Sequence, residues 1–476
     1  VILEQDRASC LRKEELEEIF PNEDSLLKKE AKWKTETAGK RSVALRAEEL
    51  DTTEIVYGIE SDLLEKEALQ MAEHLSVEQC VQMCTGAIRR GKDGTIGTAG
   101  ITVPGAAAET SLVAVDEGIA SITLADGPAG LRLNKFYDVV NGERKIQDFI
   151  DSVEDGLFRI SDEKQGERYY QFCTAFPIGT VLAQSWDMEV LKNVGRAVAK
   201  ELEIFQITLW LAPGMNIHRN PLCGRNFEYF SEDPFLTGKI ASAELRGLHT
   251  AGVTGTIKHF CGNNQETYRH TSDSVISERA LREIYLKGFE MAVKEGNADS
   301  VMTTYGSVNG LWTAGNYDLV TRILHDEWGF TGFTMTDWWA NINERNCPID
   351  KKNFAAMVRA QNDVYMVCTD GEENNDNVLE SLEKGTLCRS ELQRCAVNIC
   401  RFLLHTHAMK RMMKKQDEVV ILNRPKDESD VDLENVVCYP LDGEATISLK
   451  DICTDKGTNY SFSLDLTKLG YYEVTI

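Results

Sequence analysis

Along the middle of the chain, short apolar runs rich in β-branched residues alternate with longer stretches whose apolar positions recur every three or four residues. The runs are SITLADGP from 121, TAFPIGT from 174, LWLAPGMNI from 209, GTIKHF from 255, DSVMTTYGSVNG from 299, GFTMTDWW from 332 and NDVYMV from 362. Between them lie VLKNVGRAVAKELEIF, PFLTGKIASAELRGLH, SERALREIYLKGFEMAVKEG and LVTRILHDEW, all of helical period. Strands that are apolar on both faces and alternate with helices predict a parallel sheet. Spread over residues 71–415, the pattern suits an α/β fold of the (β/α)8 TIM-like barrel type better than an open sheet. No GxGxxG follows a strand, which weakens a dinucleotide-binding alternative.

Two flanking segments read differently. Residues 1–70 are charge-dense and glycine-poor, with helix-like EELEEIF and SLLKKEAKW and strand-like RSVALRAEEL; they are expected to be a linker from an upstream domain. Residues 416–476 carry ATISLKDI, NYSFSLDL and GYYEVTI, whose two-residue alternation predicts a small β-rich segment of antiparallel strands. The chain opens VILEQDRASC without an initiating methionine, as a fragment would.

Composition narrows the partners. A net charge of -24 with no basic stripe excludes nucleic acid, and no apolar run approaches the roughly 20 residues a bilayer span needs. Thirteen scattered cysteines, with no close CxxC pair and no His/Cys cluster, read as reduced thiols in a cytoplasmic protein without a metal. A homo-oligomer is allowed by this composition but not specified by it.

The chemistry concentrates where the apolar runs end. Asp126, Lys258, His259, Tyr305 and Asp337 follow these runs, and in a parallel barrel such strand ends converge on one face. Asp337, after GFTM and before two tryptophans, could be a nucleophile or stabiliser toward an oxocarbenium-like centre, with Trp338 as an apolar platform; it could equally cap a helix. Lys258 and His259 could orient hydroxyl groups or simply pack. Asp126, before Gly-Pro, is either turn chemistry or a carboxylate for sugar hydroxyls, with Arg132 six residues on able to support either. In GRNFEYFSEDPFL, Asp233 or Ser231 with Pro234 looks like a helix start, and Arg225 is the better pocket candidate because a guanidinium presents several fixed donors.

Taken together and in order, ADGPAGLR, GRNFEYFSEDPFL, KHFCGNNQET, VMTTYGSVNG and GFTMTDWW closely resemble the β-glucosidase branch of glycoside hydrolase family 3. The resemblance implies a retaining glycosidase on a barrel that can have an imperfect strand, needing no metal or organic cofactor. It implies that Asp337 is the nucleophile and that Asp126, Arg225, Lys258 and His259 form the sugar-binding shell. Tyr305 would lie near the nucleophile, with Met302 close by and Trp338 at the pocket wall. The substrate would be a β-glucoside or cello-oligosaccharide, hydrolysed through a covalent glycosyl-enzyme on Asp337. Lys258 and Arg225 are expected to keep that carboxylate ionised by lowering its pKa.

The partner acid is harder to place. In this branch it is typically a Glu on a separate α/β sandwich domain, which is not recognisable here; an inverted domain order, or a second chain, would supply it. The loop GNNQETYRHTSDS departs from the glycine-histidine-rich pattern of the branch that uses an in-barrel His; His270 and Glu266 are its candidates, and neither is named as the acid/base. A carbohydrate-binding or catalytically impaired barrel, and a β-xylosidase or other exo-glycosidase, are the competing readings. A phosphate-binding barrel is disfavoured, because CTDGEENNDN after NDVYMV would repel phosphate.

Overall fold

The computed structural model describes residues 61–87, 102–141, 143–145, 149–152, 158–160, 163–367 and 376–413, and the strands 437–441 and 462–466. The chain separates into two compact units, Val1–Glu418 and Val419–Ile476.

In the first unit, helices and short parallel strands alternate. Thr123–Ala125 pairs in parallel with Leu209–Trp210, which pairs in parallel with Thr254–Gly255. Ile257–Phe260, Ser300–Thr303 and Phe333–Met335 form a second parallel set. Single bridges continue it: Met335 with Val364 and Tyr365 with Thr85, both parallel, and Ala87 with Glu109, antiparallel. Ala108–Glu109 also runs antiparallel to Thr123–Ala125, so one strand departs from the uniformly parallel sheet expected. The strands are wholly buried, because helices cover what would otherwise be an apolar outer face.

Helix formation follows local signals. Met188–Ile204 begins where the Asp187 carboxylate accepts from Glu189 N and Val190 N. Pro234–His249 begins with Asp233 accepting from Phe235 N and Leu236 N and with Pro234 in its first turn, as SEDP suggested. These two helices pack on each other, and the second also packs on Lys287–Lys294. Their buried faces, including Leu191, Val198, Leu202, Ile240, Leu245 and Phe289, share one apolar cluster with strand residues Ile257 and Val301.

Two expectations are corrected, and one region appears that the sequence did not announce. TAFPIGT forms no strand: Pro177 has no N–H to offer a ladder, and the run's last two residues open the short helix Gly179–Gln184. After Arg132 the chain forms an antiparallel insertion, with Phe136–Val140 between Glu143–Lys145 and Glu167–Tyr170. Its strands hold together through the buried Asp138, bonded by Arg168, whose guanidinium also stacks on Phe136. In the second unit Val437–Leu441 and Phe462–Leu466 pair in parallel, not antiparallel: alternation marks a strand but not its direction, and the intervening chain is long enough for a crossover. ATISLKDI, GYYEVTI and the segments named within residues 1–60 lie outside the described residues, and helix Ser61–Glu73 runs across the boundary expected near 70.

Candidate active site

The strand ends carry the polar residues to one place. Asp126, Arg132, Arg225, Lys258 and His259 line a cavity of about 220 Å³ together with Met302, Tyr305, Asp337 and Trp338. All nine residues singled out from the sequence therefore meet. Pro128, Leu211, Phe227, Glu228 and Arg269 complete the wall.

Asp126 is placed by a turn that only small residues permit. Gly127 and Gly130 have φ of +117° and +121°, and a Cβ on either would fall 2.0–2.1 Å from a backbone oxygen. Arg132 N donates to Asp126 O at 2.9 Å, and Trp210 Nε1 fixes the turn through Gly127 O at 2.9 Å. Turn chemistry and cavity chemistry thus coexist in this acid. Lys258 Nζ donates to its Oδ1 at 2.8 Å, and Arg132 Nη1 lies 3.5 Å from Oδ2. Burial opposes the charge, but Lys258, Arg132 and Arg225 together hold the carboxyl down to about 2.

Asp337 lies two residues past the end of the strand Phe333–Met335 and is 6% exposed. Its Oδ1 accepts from Trp338 N at 2.8 Å, while its Oδ2 has no hydrogen-bond partner among the described residues. Its pKa is raised, not lowered as expected: burial dominates, and Arg225, the Trp338 N–H, Lys258 and Arg269 only partly offset it. The expectation failed because neither cation makes a direct bond to this carboxylate, whereas the cost of burial depends on packing that no local spelling reveals. Burial and then the Asp337 charge push the Tyr305 phenol up.

Arg225 links the two corners. Its Nε donates to Glu228, its Nη1 lies 3.8 Å from Glu266, and its Nη2 is 2.9 Å from His259 Nε2. His259 is pushed well below its usual value by burial and by Arg225, Lys258 and Arg269, so it is neutral near pH 7. The 3.8 Å approach of His259 Nε2 to Asp337 Oδ2 is accordingly not an ion pair. Asn216 Oδ1 accepts from His259 N at 2.8 Å, and Asn216 Nδ2 donates to His259 O, also at 2.8 Å.

Arg269 was not singled out from the sequence. It stacks over the Tyr305 ring, 4.5 Å from its centroid, and bonds Glu266 at 3.1 Å. The signal available was its place beside the amide-rich run after a strand. Glu266 is engaged by Asn263 and Arg269, and His270 packs edge-on against Tyr305 with its pKa lowered, burial first and then Arg269 and Lys351. Trp339 packs against the apolar core and is not among the residues lining the cavity. Among the described residues there is no group of His, Cys, Asp and Glu suited to a metal, and no helix is long and apolar enough to cross a membrane.

A cavity lined by carboxylates, fixed cations and aromatic faces is the chemistry of a site for a neutral, hydroxyl-rich ligand. The model for the glycosyl hydrolase family 3 N terminal domain matches residues 105–402, and the chain belongs to that family. It is 55% identical over 316 residues to a β-glucosidase of Ruminococcus albus, covering 66% of this chain and 33% of the relative. Thermostable β-glucosidase B of Acetivibrio thermocellus is 35% identical over 301 residues, covering 63% and 35%. Among solved structures, a β-glucosidase from Paenibacillus barengoltzii aligns with a TM-score of 0.61 at 42% identity, covering 80% of this chain and 38% of that one. β-Glucosidase 3B from Thermotoga neapolitana, in complex with α-D-glucose, aligns with a TM-score of 0.60 at 36% identity, covering 73% and 44%. The chain spans about a third of the length of the curated relatives it matches.

Proposed function

We propose that this chain carries the nucleophile half of a retaining β-glucosidase. The observation that carries the reading is Asp337: a carboxylate fixed at a strand end by its neighbour's N–H, in a cavity on the scale of one sugar ring, with cations nearby but none bonded to it. Asp337 attacks the anomeric carbon as the bond from that carbon to the aglycone oxygen breaks, the acid/base protonating that oxygen; water, deprotonated by the same group, then displaces Asp337 from the glycosyl-enzyme. Asp126, drawn toward Lys258 and Arg132, accepts hydrogen bonds from sugar hydroxyls, and Arg225, Lys258 and Arg269 donate to sugar oxygens. Trp338, Tyr305 and Met302 give the ring its walls.

The scaffold in this reading is a (β/α)8-type barrel with one reversed strand. Its support is two runs of pairings, residues 109, 123, 209 and 254 in one and 257, 301 and 334 in the other, with single bridges from 335 to 364, 365 to 85 and 87 to 109. The acid/base comes from outside the described residues, on an α/β sandwich domain or a second chain. The β-glucosidases named above, one of them holding glucose, support glucose as the sugar.

Rapid mixing with a dinitrophenyl β-glucoside tests this. That leaving group departs without protonation, so about one equivalent of phenolate should be released in a burst. A linear trace with no burst and no turnover, in protein that is folded, contradicts the reading.

A further inference from the structure

Tyr229 is wholly buried and is not among the residues lining the cavity, yet its hydroxyl lies 3.1 Å from His259 Nδ1. Resting on the reading of Asp337 as nucleophile, we propose that Tyr229 is a positioning residue. Its hydroxyl fixes His259 as the Nδ1-protonated tautomer, whose Nε2 lone pair then holds the Arg225 guanidinium in place beside Asp337.

The hydrogen-bond directions require it. A guanidinium only donates, so at 2.9 Å from Arg225 Nη2 the His259 Nε2 must be the acceptor. A neutral imidazole then carries its hydrogen on Nδ1 and needs an acceptor there. Two oxygens are in reach: Tyr229 Oη at 3.1 Å and Asn216 Oδ1 at 3.3 Å. Each already accepts one bond, Asn216 Oδ1 from His259 N at 2.8 Å and Tyr229 Oη from Asn263 Nδ2 at 2.9 Å, and Tyr229 is the shorter of the two partners.

Tyr229 is itself held firmly. Asn263 Nδ2 donates to its Oη at 2.9 Å, Thr180 Oγ1 donates to its carbonyl at 3.0 Å, and its ring passes so close to Gly214 that a Cβ there would sit 3.1 Å away. Asp337 is faced by Arg225, by Lys258 and His259 from strand Ile257–Phe260, by Arg269, and by Tyr305. Of these, Arg225 is the strongest counterweight to the burial of Asp337, so a guanidinium that swings away leaves the carboxylate harder to ionise.

Tyr229→Phe keeps the ring and removes the acceptor. Two measurements on the full chain separate positioning from packing. Nitrogen NMR of the His259 imidazole should find Nδ1 protonated in the parent and a mixture of tautomers in the variant. The acid limb of the dinitrophenyl β-glucoside burst should move to higher pH by about one unit, with the rate above the limb changed less than about threefold. A fall that is uniform in pH, with the tautomer unmoved, overturns the proposal. Should Tyr229→Phe fail to fold, the nitrogen NMR of the parent decides alone: a hydrogen on His259 Nδ1 supports the proposal and one on Nε2 overturns it. Absence of any burst in the parent strikes at the nucleophile reading instead, while the NMR still decides the tautomer.

Discussion

Asp126 and Asp337 line the same cavity, and burial works against the charge of both. At Asp126 a lysine ammonium bonded at 2.8 Å and a nearby guanidinium outweigh that cost; at Asp337 the cations stand off and it prevails. The difference separates two kinds of work. A carboxylate held low is a permanent acceptor, suited to gripping hydroxyls at any physiological pH. One held high is poorly solvated when ionised and so more reactive toward an electrophilic carbon.

The largest effect that would break this comparison is on chemistry. Asp337→Asn should lower the glycosylation rate with dinitrophenyl β-glucoside by roughly 10⁴-fold or more, measured by stopped flow. Asp126→Asn should act mainly through KM, with a smaller loss in kcat; equal losses from the two variants would dissolve the distinction.

Stability should move in opposite directions. Asp126→Asn leaves Lys258, 3% exposed, without its anion, and should destabilise the fold by about 3–5 kcal/mol in denaturant titration. Asp337→Asn removes a charge that burial disfavours and should raise the melting temperature by about 2–4 °C at pH 7. A lower melting temperature for Asp337→Asn would mean that the raised pKa has been misattributed.

The pH dependences carry the same contrast with opposite signs. Asp126 has a folded value of about 2 against an ordinary 3.8, so its stabilisation, about 2 kcal/mol, is full above the ordinary value and is lost as pH falls toward 2. Asp337 has a folded value above the ordinary one. Its protonated form favours folding at low pH, and that contribution is lost as pH rises through the raised value. Glycosylation needs the ionised form, so its acid limb should lie above 3.8; a limb at or below that value contradicts the assignment. The smallest expected effect belongs to a third acid. Asp233→Ala should cost about 1 kcal/mol as a lost helix cap and leave that limb where it is.

Much of this site was legible because strand ends are. The β-branched runs before Asp126, Lys258, His259 and Asp337 mark buried strands, and polar residues just past them have few places to go but the rim. The caps at Asp187 and Asp233 were spelled locally, and SEDP narrowed the second to Asp233 or Ser231. What escaped was whatever depends on distance in space. The two-residue reversal at Ala108–Glu109 and the insertion around Asp138 and Arg168 are set by partners far along the chain. The net direction at Asp337 is set by how completely its neighbours exclude water. Tyr229 passed as one aromatic among several in GRNFEYFSEDPFL, since nothing in that spelling says its hydroxyl meets a histidine 30 residues away.

The claim on which the rest depends is that Asp337 becomes covalently glycosylated. Incubation with a fluorosugar that forms the glycosyl-enzyme but resists its hydrolysis, followed by peptide mass spectrometry, tests it directly. One added sugar is expected on the peptide containing TMTDWWA, attached at Asp337 and absent from Asp337→Asn. A sugar attached at Asp126 or Glu228, or undiminished labelling of the Asp337→Asn protein, would contradict it.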